Sequence, residues 1–436
     1  MEWQITLLLI LGSLIVMMAM GMPAAFCFIV VNIIGVFLLN GEPGMRQLIR
    51  SFFDSVTTFA LIPIPLFILM GEVMFRSGVG PLMIDALDKW LGRLPGRLGI
   101  LAVGGGALFA TLSGASIASS AMLVSVLSPE MEKRGYKKPM SLGPILGSGG
   151  LATMIPPSGL GVILAAIGQF SVGKLLMAII LPGLLMAVLY ATYIILRCQL
   201  QPHLAPAYEV RHVPLSEKLI ATIRHILPLG LIVFLVIGVI FLGIATPTEA
   251  AAAGALGTFI LAAFYKRLNW QIAKEATSST FEITVMVFMI LIGAKAFSQL
   301  LAFSGATSGL LQFIIGLEMA PILVVTAVLI CIVFLGMFIS SAAIIVITIP
   351  LFLPVVMAIG FDPVWFGVLA LLAIEVGFTS PPFGLVLYVV HGAAPRGTTM
   401  GDVYKAALPF IGCDIVAMTF ILVFPTISLW LPSIMK

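Results

Sequence analysis

Two Pro-Pro pairs, Pro156-Pro157 and Pro381-Pro382, are the residues whose type and spacing point most directly to chemistry. Each is followed by X-Gly-Leu, as Ser158-Gly159-Leu160 and as Phe383-Gly384-Leu385. Proline has no N–H and pushes the residue before it out of helical geometry. An adjacent pair in an apolar helix therefore strands several carbonyl oxygens, which is costly inside a bilayer unless something binds them. Unwound carbonyls and half-helix C-termini are the oxygen ligands that sodium-coupled carriers use for their cation. The N–H groups opening the next half-helix suit an anion. The expected chemistry is binding at a neutral but strongly dipolar site.

The two pairs are 225 residues apart (381 − 156). The same offset, without gaps, superposes Phe109 on Phe334, Ser116 on Ser341, Pro129 on Pro354 and Gly135 on Gly360. A fixed offset held over such a stretch marks an internal repeat. In an apolar chain, repeats with paired helix breaks point to a carrier site at the repeat interface.

Other chemistries are not encoded. The chain has no G-x-x-x-x-G-K-[ST] phosphate loop, no G-x-S-x-G elbow and no HExxH motif. His203, His212, His225 and His391 are scattered in or near loops. Cys27, Cys198, Cys331 and Cys413 are isolated, so neither a metal site nor a disulfide framework is expected. We expect no enzyme and no cofactor. The net charge of +4 is small and dispersed, which argues against a nucleic-acid partner.

Ionisable residues in apolar sequence are functional candidates by default. Glu72, Glu249, Lys295, Glu375 and Asp414 qualify. We expect structural roles for three of them. Glu249 follows Thr246-Pro247-Thr248, where a carboxylate stabilises a helix N-terminus. Glu375 lies six residues before the second Pro pair and is placed to organise the break, and Glu72 is grouped with these. Lys295 is expected to pair with a carboxylate or to snorkel to an interface.

The elements that must position these residues are membrane helices. Hydrophobic residues make up 61% of the chain and charged residues 9%, with mean hydropathy +1.21. Several stretches exceed the roughly 20 apolar residues that span a bilayer. The N-terminal run lacks a basic region and continues into a second apolar segment, so we expect a retained helix rather than a signal peptide. Leu98–Pro129 carries no charge and has a polar centre from Ser113 to Ser120. It is too long for one perpendicular span, and we expect two half-helices meeting at a Ser/Gly tip. A second such hairpin is expected over 321–359, broken near Gly336 and Ser340-Ser341.

The expected organisation has five parts. Residues 1–60 hold N-terminal scaffold helices and an interfacial arm. Residues 61–170 form the first repeat, with hairpin 98–129 and broken helix 141–170. Residues 171–280 supply central scaffold helices and an amphipathic connector over Lys266–Ser279. Residues 281–395 form the second repeat, with hairpin 321–359 and broken helix 363–390, and residues 396–436 end in a C-terminal helix.

Charge orients the two hairpins. The first is flanked by Arg93 and Arg97 before it and by Lys133, Arg134, Lys137 and Lys138 after it. The second has Glu318 before it, Asp362 after it and no Lys or Arg nearby. By the positive-inside rule the first opens to the cytoplasm and the second to the outside, which makes the repeats inverted. The fold class expected is thus an all-α polytopic membrane protein with two re-entrant hairpins and two broken helices.

At these residues the chain resembles the large membrane subunit of TRAP (tripartite ATP-independent periplasmic) transporters, the DctM-like family. The matching stretches are Ser113–Pro139, Ala152–Leu160, Leu242–Gly257, Ile347–Leu369, Glu375–Leu385, Ala407–Phe410 and Phe424–Pro432. The resemblance implies an elevator-type carrier in the bacterial cytoplasmic (inner) membrane. It implies uptake of a small organic anion driven by sodium. The implied partners are a small four-helix membrane subunit and a periplasmic solute-binding protein. Carried over residue by residue, one Na+ site falls at Ser113, Gly114, Ala152, Ile155 and Pro157, and the other at Gly336, Gly377, Ser380 and Phe383. Ser116, Ser158, Ser340 and Ser341 are the implied substrate-side residues. The chain departs from the family at Ile339-Ser340-Ser341, where an acidic residue is common, and at Ala373 and Val386, where Asn is common. The alternative expectation is a single-component anion carrier of the same fold that needs no binding protein.

Overall fold

The computed structural model describes residues 3–92, 94–113, 116–206 and 213–435. Every regular element among them is helical. Seven helices are long and apolar enough to cross a membrane, or up to nine if each of two bent pairs counts as one span. Large apolar side chains such as Leu8, Phe37, Leu200 and Phe264 point outward and are exposed. An outer surface of this kind is the solvent-facing surface of a protein whose solvent is lipid. The chain is a multi-pass membrane protein.

Local chemistry sets the helix ends. Thr246 and Glu249 form a reciprocal capping box at the start of Pro247–Phe264, and Thr399 and Asp402 form another at Met400–Val423. The Asp362 carboxylate accepts from the N–H groups of Val364 and Trp365, at 2.8 and 3.1 Å, where Pro363–Thr379 begins. Each cap satisfies donors that have no partner inside the helix, at about 1 kcal/mol apiece.

The repeat is written into these boundaries. Ser116–Lys133 recurs as Ser341–Ala358, and Lys138–Met154 recurs as Pro363–Thr379, both at an offset of 225 (341 − 116; 363 − 138). Arg97–Ser113 corresponds to Pro321–Gly336, and Gly159–Gly168 to Leu385–Ala393. In each copy the two hairpin halves pack on one another and on the first half of the broken span. The copies also interlock reciprocally. Gly159–Gly168 packs on Ser341–Ala358, and Leu385–Ala393 packs on Ser116–Lys133. Each copy thus lays the second half of its broken span on the second hairpin half of the other copy.

The remaining long helices enclose this unit. Ala24–Val56 kinks at Gly41, whose φ of 59° suits glycine, and packs along Trp270–Phe303. Phe28 and Phe297 meet edge to face at 5.3 Å, and the Asn32 Nδ2 donates to the Gly293 carbonyl at 2.8 Å. Trp270–Phe303 is one helix of 34 residues, so Lys266–Ser279 is not a separate connector. Asn269 caps its N-terminus, and Glu275 in its polar first part pairs with Arg76 at 3.1 Å. These contacts carry the helix beyond the apolar stretch.

Candidate functional site

Both Pro-Pro pairs interrupt their spans. Helix Lys138–Met154 stops where Ile155 turns extended, at φ −113° and ψ 117°, and Gly159–Gly168 resumes at an angle of 44°. Ala152, Pro157 and Ser158 are buried there, and Ile155 is half-buried. The Ser158 hydroxyl accepts from the Gly161 N–H at 3.2 Å and so serves as the N-cap of the resumed helix. Outside the break, Gly183 brings the next helix to within contact of the Met154 carbonyl. A Cβ there would sit 2.4 Å from that oxygen.

The second break is built differently. Helix Pro363–Thr379 ends where Ser380 turns extended, and the Ser380 hydroxyl donates to the Val376 carbonyl at 2.6 Å. Gly384 packs its Cα against the Phe378 and Ser380 carbonyls, where a Cβ would lie 2.4 and 2.8 Å from the two oxygens. Tyr388 and Tyr404 both donate their hydroxyls to the Pro382 carbonyl, at 3.2 and 2.8 Å. The Phe383 ring is half-exposed and lies 5.3 Å from Phe338, at the tip of the second hairpin.

The hairpin tips meet these breaks. Gly336 ends the first half of the second hairpin, and Gly377 lies in the last turn before the break. A Cβ on Gly377 would fall 2.6 Å from the Gly336 Cα and 2.7 Å from the Val333 carbonyl. The two backbones therefore touch, and two expected sodium residues come together. At the first tip, Ser113 is the last residue of Arg97–Ser113, and Gly114 lies outside the described residues.

The repeats join at Glu375. Its Oε2 accepts from the Ser116 hydroxyl at 2.8 Å, a bond from the second broken span to the first hairpin. Its Oε1 is buried without a hydrogen-bond partner among the described residues. Gly150 sits against it, and a Cβ there would lie 2.9 Å from the Glu375 Cγ. Positions 150 and 375 are equivalent under the repeat (375 − 150 = 225), so this contact joins matching positions of the two copies. One copy supplies the carboxylate and the other supplies the space for it.

A cavity of about 370 Å³ opens beside this contact. Ser116, Ser340, Ser341 and Glu375 line it, with Phe378 and the Gly159 N-terminus. Its size is in the range of small-molecule sites. Ser158, expected on the substrate side, is not on its wall, because its hydroxyl is turned into the helix cap. Glu72 lines the cavity but is held by Arg76 at 2.8 Å, which also reaches Glu275. Glu249 is far from the cavity wall, accepting from the Thr246 N–H and hydroxyl at 2.8 Å each. Lys295, expected to pair with a carboxylate or to snorkel to an interface, forms no ion pair among the described residues. Among the described residues no cluster of His, Cys, Asp or Glu could hold a metal ion.

Sequence reasoning missed Gly150, although the offset points to it directly from Glu375. It also missed the Tyr190 hydroxyl, which donates to the buried Asp414 carboxylate and holds Ile180–Leu200 to Met400–Val423. No local signal links those two residues.

Comparison with known proteins fits this geometry. Residues 11–427 match the family described as the tripartite ATP-independent periplasmic transporter, DctM component. The chain is 32% identical over 399 residues to the C4-dicarboxylate TRAP transporter large permease protein DctM of Pseudomonas aeruginosa, covering 91% of each chain. It is 30% identical to the ectoine TRAP transporter large permease protein TeaC of Halomonas elongata, covering 97% of this chain and 98% of that one. Its fold is similar to that of the Alcanivorax borkumensis YdaH transporter, with a TM-score of 0.63 at 16% identity over 91% of both chains. These proteins transport rather than catalyse. Matched over nearly its whole length, the chain belongs to the DctM family and is the large membrane subunit of a TRAP transporter.

Proposed function

We propose that this subunit imports a small organic anion, a carboxylate or a sulfonate, by sodium-coupled symport. The observation that carries the reading is the pair of interlocked hairpin-and-break units around one cavity, whose wall holds the tip serines Ser116, Ser340 and Ser341. Helix N-termini and hydroxyls on that wall are suited to an anion. Main-chain carbonyls at helix breaks of this kind are suited to sodium. In this reading Ala152, Ile155 and Pro157 contribute to one ion site, together with Ser113 and Gly114, and Gly336, Gly377, Ser380 and Phe383 contribute to the other. The opposite charge of the hairpin flanks supports inverted repeats. The hairpins and broken spans then move as one body against the long helices, in an elevator cycle. A small membrane subunit and a periplasmic binding protein complete the system in the bacterial inner membrane. The C4-dicarboxylate and ectoine relatives support an acidic or zwitterionic solute of this size.

The test is uptake into proteoliposomes holding this chain and its small subunit. Labelled succinate, ectoine and isethionate are offered with and without the binding protein and an inward sodium gradient. Accumulation should require both. Uptake undiminished without the gradient would mean a passive pathway. Uptake without the binding protein would mean a single-component carrier.

A further inference from the structure

A second cavity, of about 560 Å³, has no hairpin-tip side chain on its wall among the described residues. One wall is a stripe of Trp270–Phe303 that includes Lys295, Ser298 and Gln299, which share a helix face at i, i+3 and i+4. Facing them is Gln169, whose left-handed backbone (φ 55°) ends helix Gly159–Gly168. Ser55 and Thr58 close a third side. No acidic side chain is on this wall among the described residues, and Lys295 has no ion-pair partner among them. A cation in membrane sequence normally faces a partner or an aqueous route. Here the wall offers amides and hydroxyls but no carboxylate, and the carbonyl end of Gly159–Gly168 beside Gln169 supplies only a partial negative charge, so a full counter-charge belongs to something that enters.

The location says from where. Gly159–Gly168 runs away from the basic end of its span at Lys137 and Lys138, and Trp270–Phe303 runs away from Lys266 and Arg267. The cavity sits at the far ends of both helices, which the positive-inside rule places outside. It also lies between a long enclosing helix and the second half of a broken span.

We propose that Lys295, with Gln299 and Gln169, forms an anion-binding station on the extracytoplasmic side, distinct from the hairpin cavity, that receives the carboxylate or sulfonate of the incoming solute. The proposal rests on inward anion transport but not on sodium coupling. The station contains no break carbonyl, so its occupancy is independent of sodium.

The test uses the full chain in phosphatidylcholine nanodiscs without sodium. Melting is followed against choline succinate and choline methanesulfonate, with choline chloride as the salt control. At least one organic anion should stabilise the native chain saturably. Lys295→Gln should raise the half-saturating concentration at least tenfold, whereas Lys295→Arg should keep it within about threefold. Lys295→Gln without anion should melt no lower than the native chain, since an unpaired charge is removed. A lower midpoint would instead mean that Lys295 caps the C-terminus of Gly159–Gly168, and would overturn the proposal. So would an unchanged half-saturation in Lys295→Gln, an effect matched by chloride, or no saturable effect of either anion. Stabilisation by phosphatidylglycerol in the nanodisc but by neither soluble anion would make the occupant a lipid headgroup and also overturn it. Loss of sodium-coupled uptake in the proteoliposome assay would leave these results standing, so the two failures are distinguishable.

Discussion

Ser158 and Phe383 hold equivalent places in the two breaks, and each does what the other cannot. Ser158 is fully buried and spends its hydroxyl on the N-cap of its own half-helix. Phe383 is half-exposed, and its ring lies against the tip of the neighbouring hairpin. Three residues earlier the contrast reverses, with Ile155 in the first break and Ser380 in the second. The backbone plan is shared, but the first break has no hydroxyl at the position of Ser380. The second has a hydroxyl whose proton goes to the Val376 carbonyl, leaving its lone pairs available. Duplication thus kept what proline and glycine dictate and released the side chains to diverge.

A further difference between the copies lies in the last turn before each break. Gly377 touches the Gly336 backbone, whereas its counterpart Ala152 already carries a Cβ. Gly377→Ala should therefore abolish uptake and cost roughly 1–3 kcal/mol of stability, because backbone rather than a flexible side chain stands in the way. Thermal melting and sodium-driven uptake measure the two effects. Ala152→Gly in the first copy keeps the main-chain carbonyl of the proposed ion site and should leave uptake within about twofold, at a stability cost of about 1–2 kcal/mol for one buried methyl and the helix penalty of glycine. Equal losses in both would erase the distinction between a tight and a loose copy.

A smaller effect is expected where the copies meet. Gly150→Ala would push on the Glu375 Cγ from 2.9 Å and strain the bond to Ser116. Uptake should fall about tenfold at normal membrane yield, a loss of about 1.4 kcal/mol in transport. Glu375→Asp withdraws the carboxylate by one methylene, so the double variant should be less impaired than the two single losses combined. A coupling above about 0.5 kcal/mol in the double-mutant cycle supports direct contact between the two copies. Strict additivity would mean that the two positions act separately.

How much of this was legible before the structure depends on the range of the physics. The breaks and the helix boundaries beside them follow from proline and glycine acting on their immediate neighbours, and the sequence offset carried them from one copy to the other. Glu249 was readable for the same reason, since a capping box closes within four residues. Ser158 caps its helix through a contact three residues away and was open to the same reading. The role of Ser116 was not readable, because its partner Glu375 is 259 residues away and only packing brings the two together. The continuity of Trp270–Phe303 was hidden because Lys274, Glu275 and Glu282 make its first half polar, and the partner that holds it, Arg76, is almost 200 residues away in sequence. Lys295 shows the same limit. A lone lysine in apolar sequence states a cost, and only the folded surroundings show that no carboxylate offsets it.

The smallest predicted effects separate the two breaks most sharply. Ser380→Ala should raise the half-saturating sodium concentration roughly fivefold, the equivalent of about 1 kcal/mol for one oxygen ligand. Its melting point should change little, because the Val376 carbonyl that loses this hydroxyl keeps the one Thr379 donates at 3.2 Å. Ser158→Ala should do the reverse. It removes the N-cap of Gly159–Gly168 and costs about 1 kcal/mol of stability, while sodium half-saturation stays near the native value, because the hydroxyl is already committed to the Gly161 N–H. Sodium titrations of uptake and thermal melting of the same two preparations give all four numbers. If Ser158→Ala shifts the sodium dependence and Ser380→Ala does not, the side-chain ligand belongs to the first break, and the assignment drawn from the two hydroxyls is inverted.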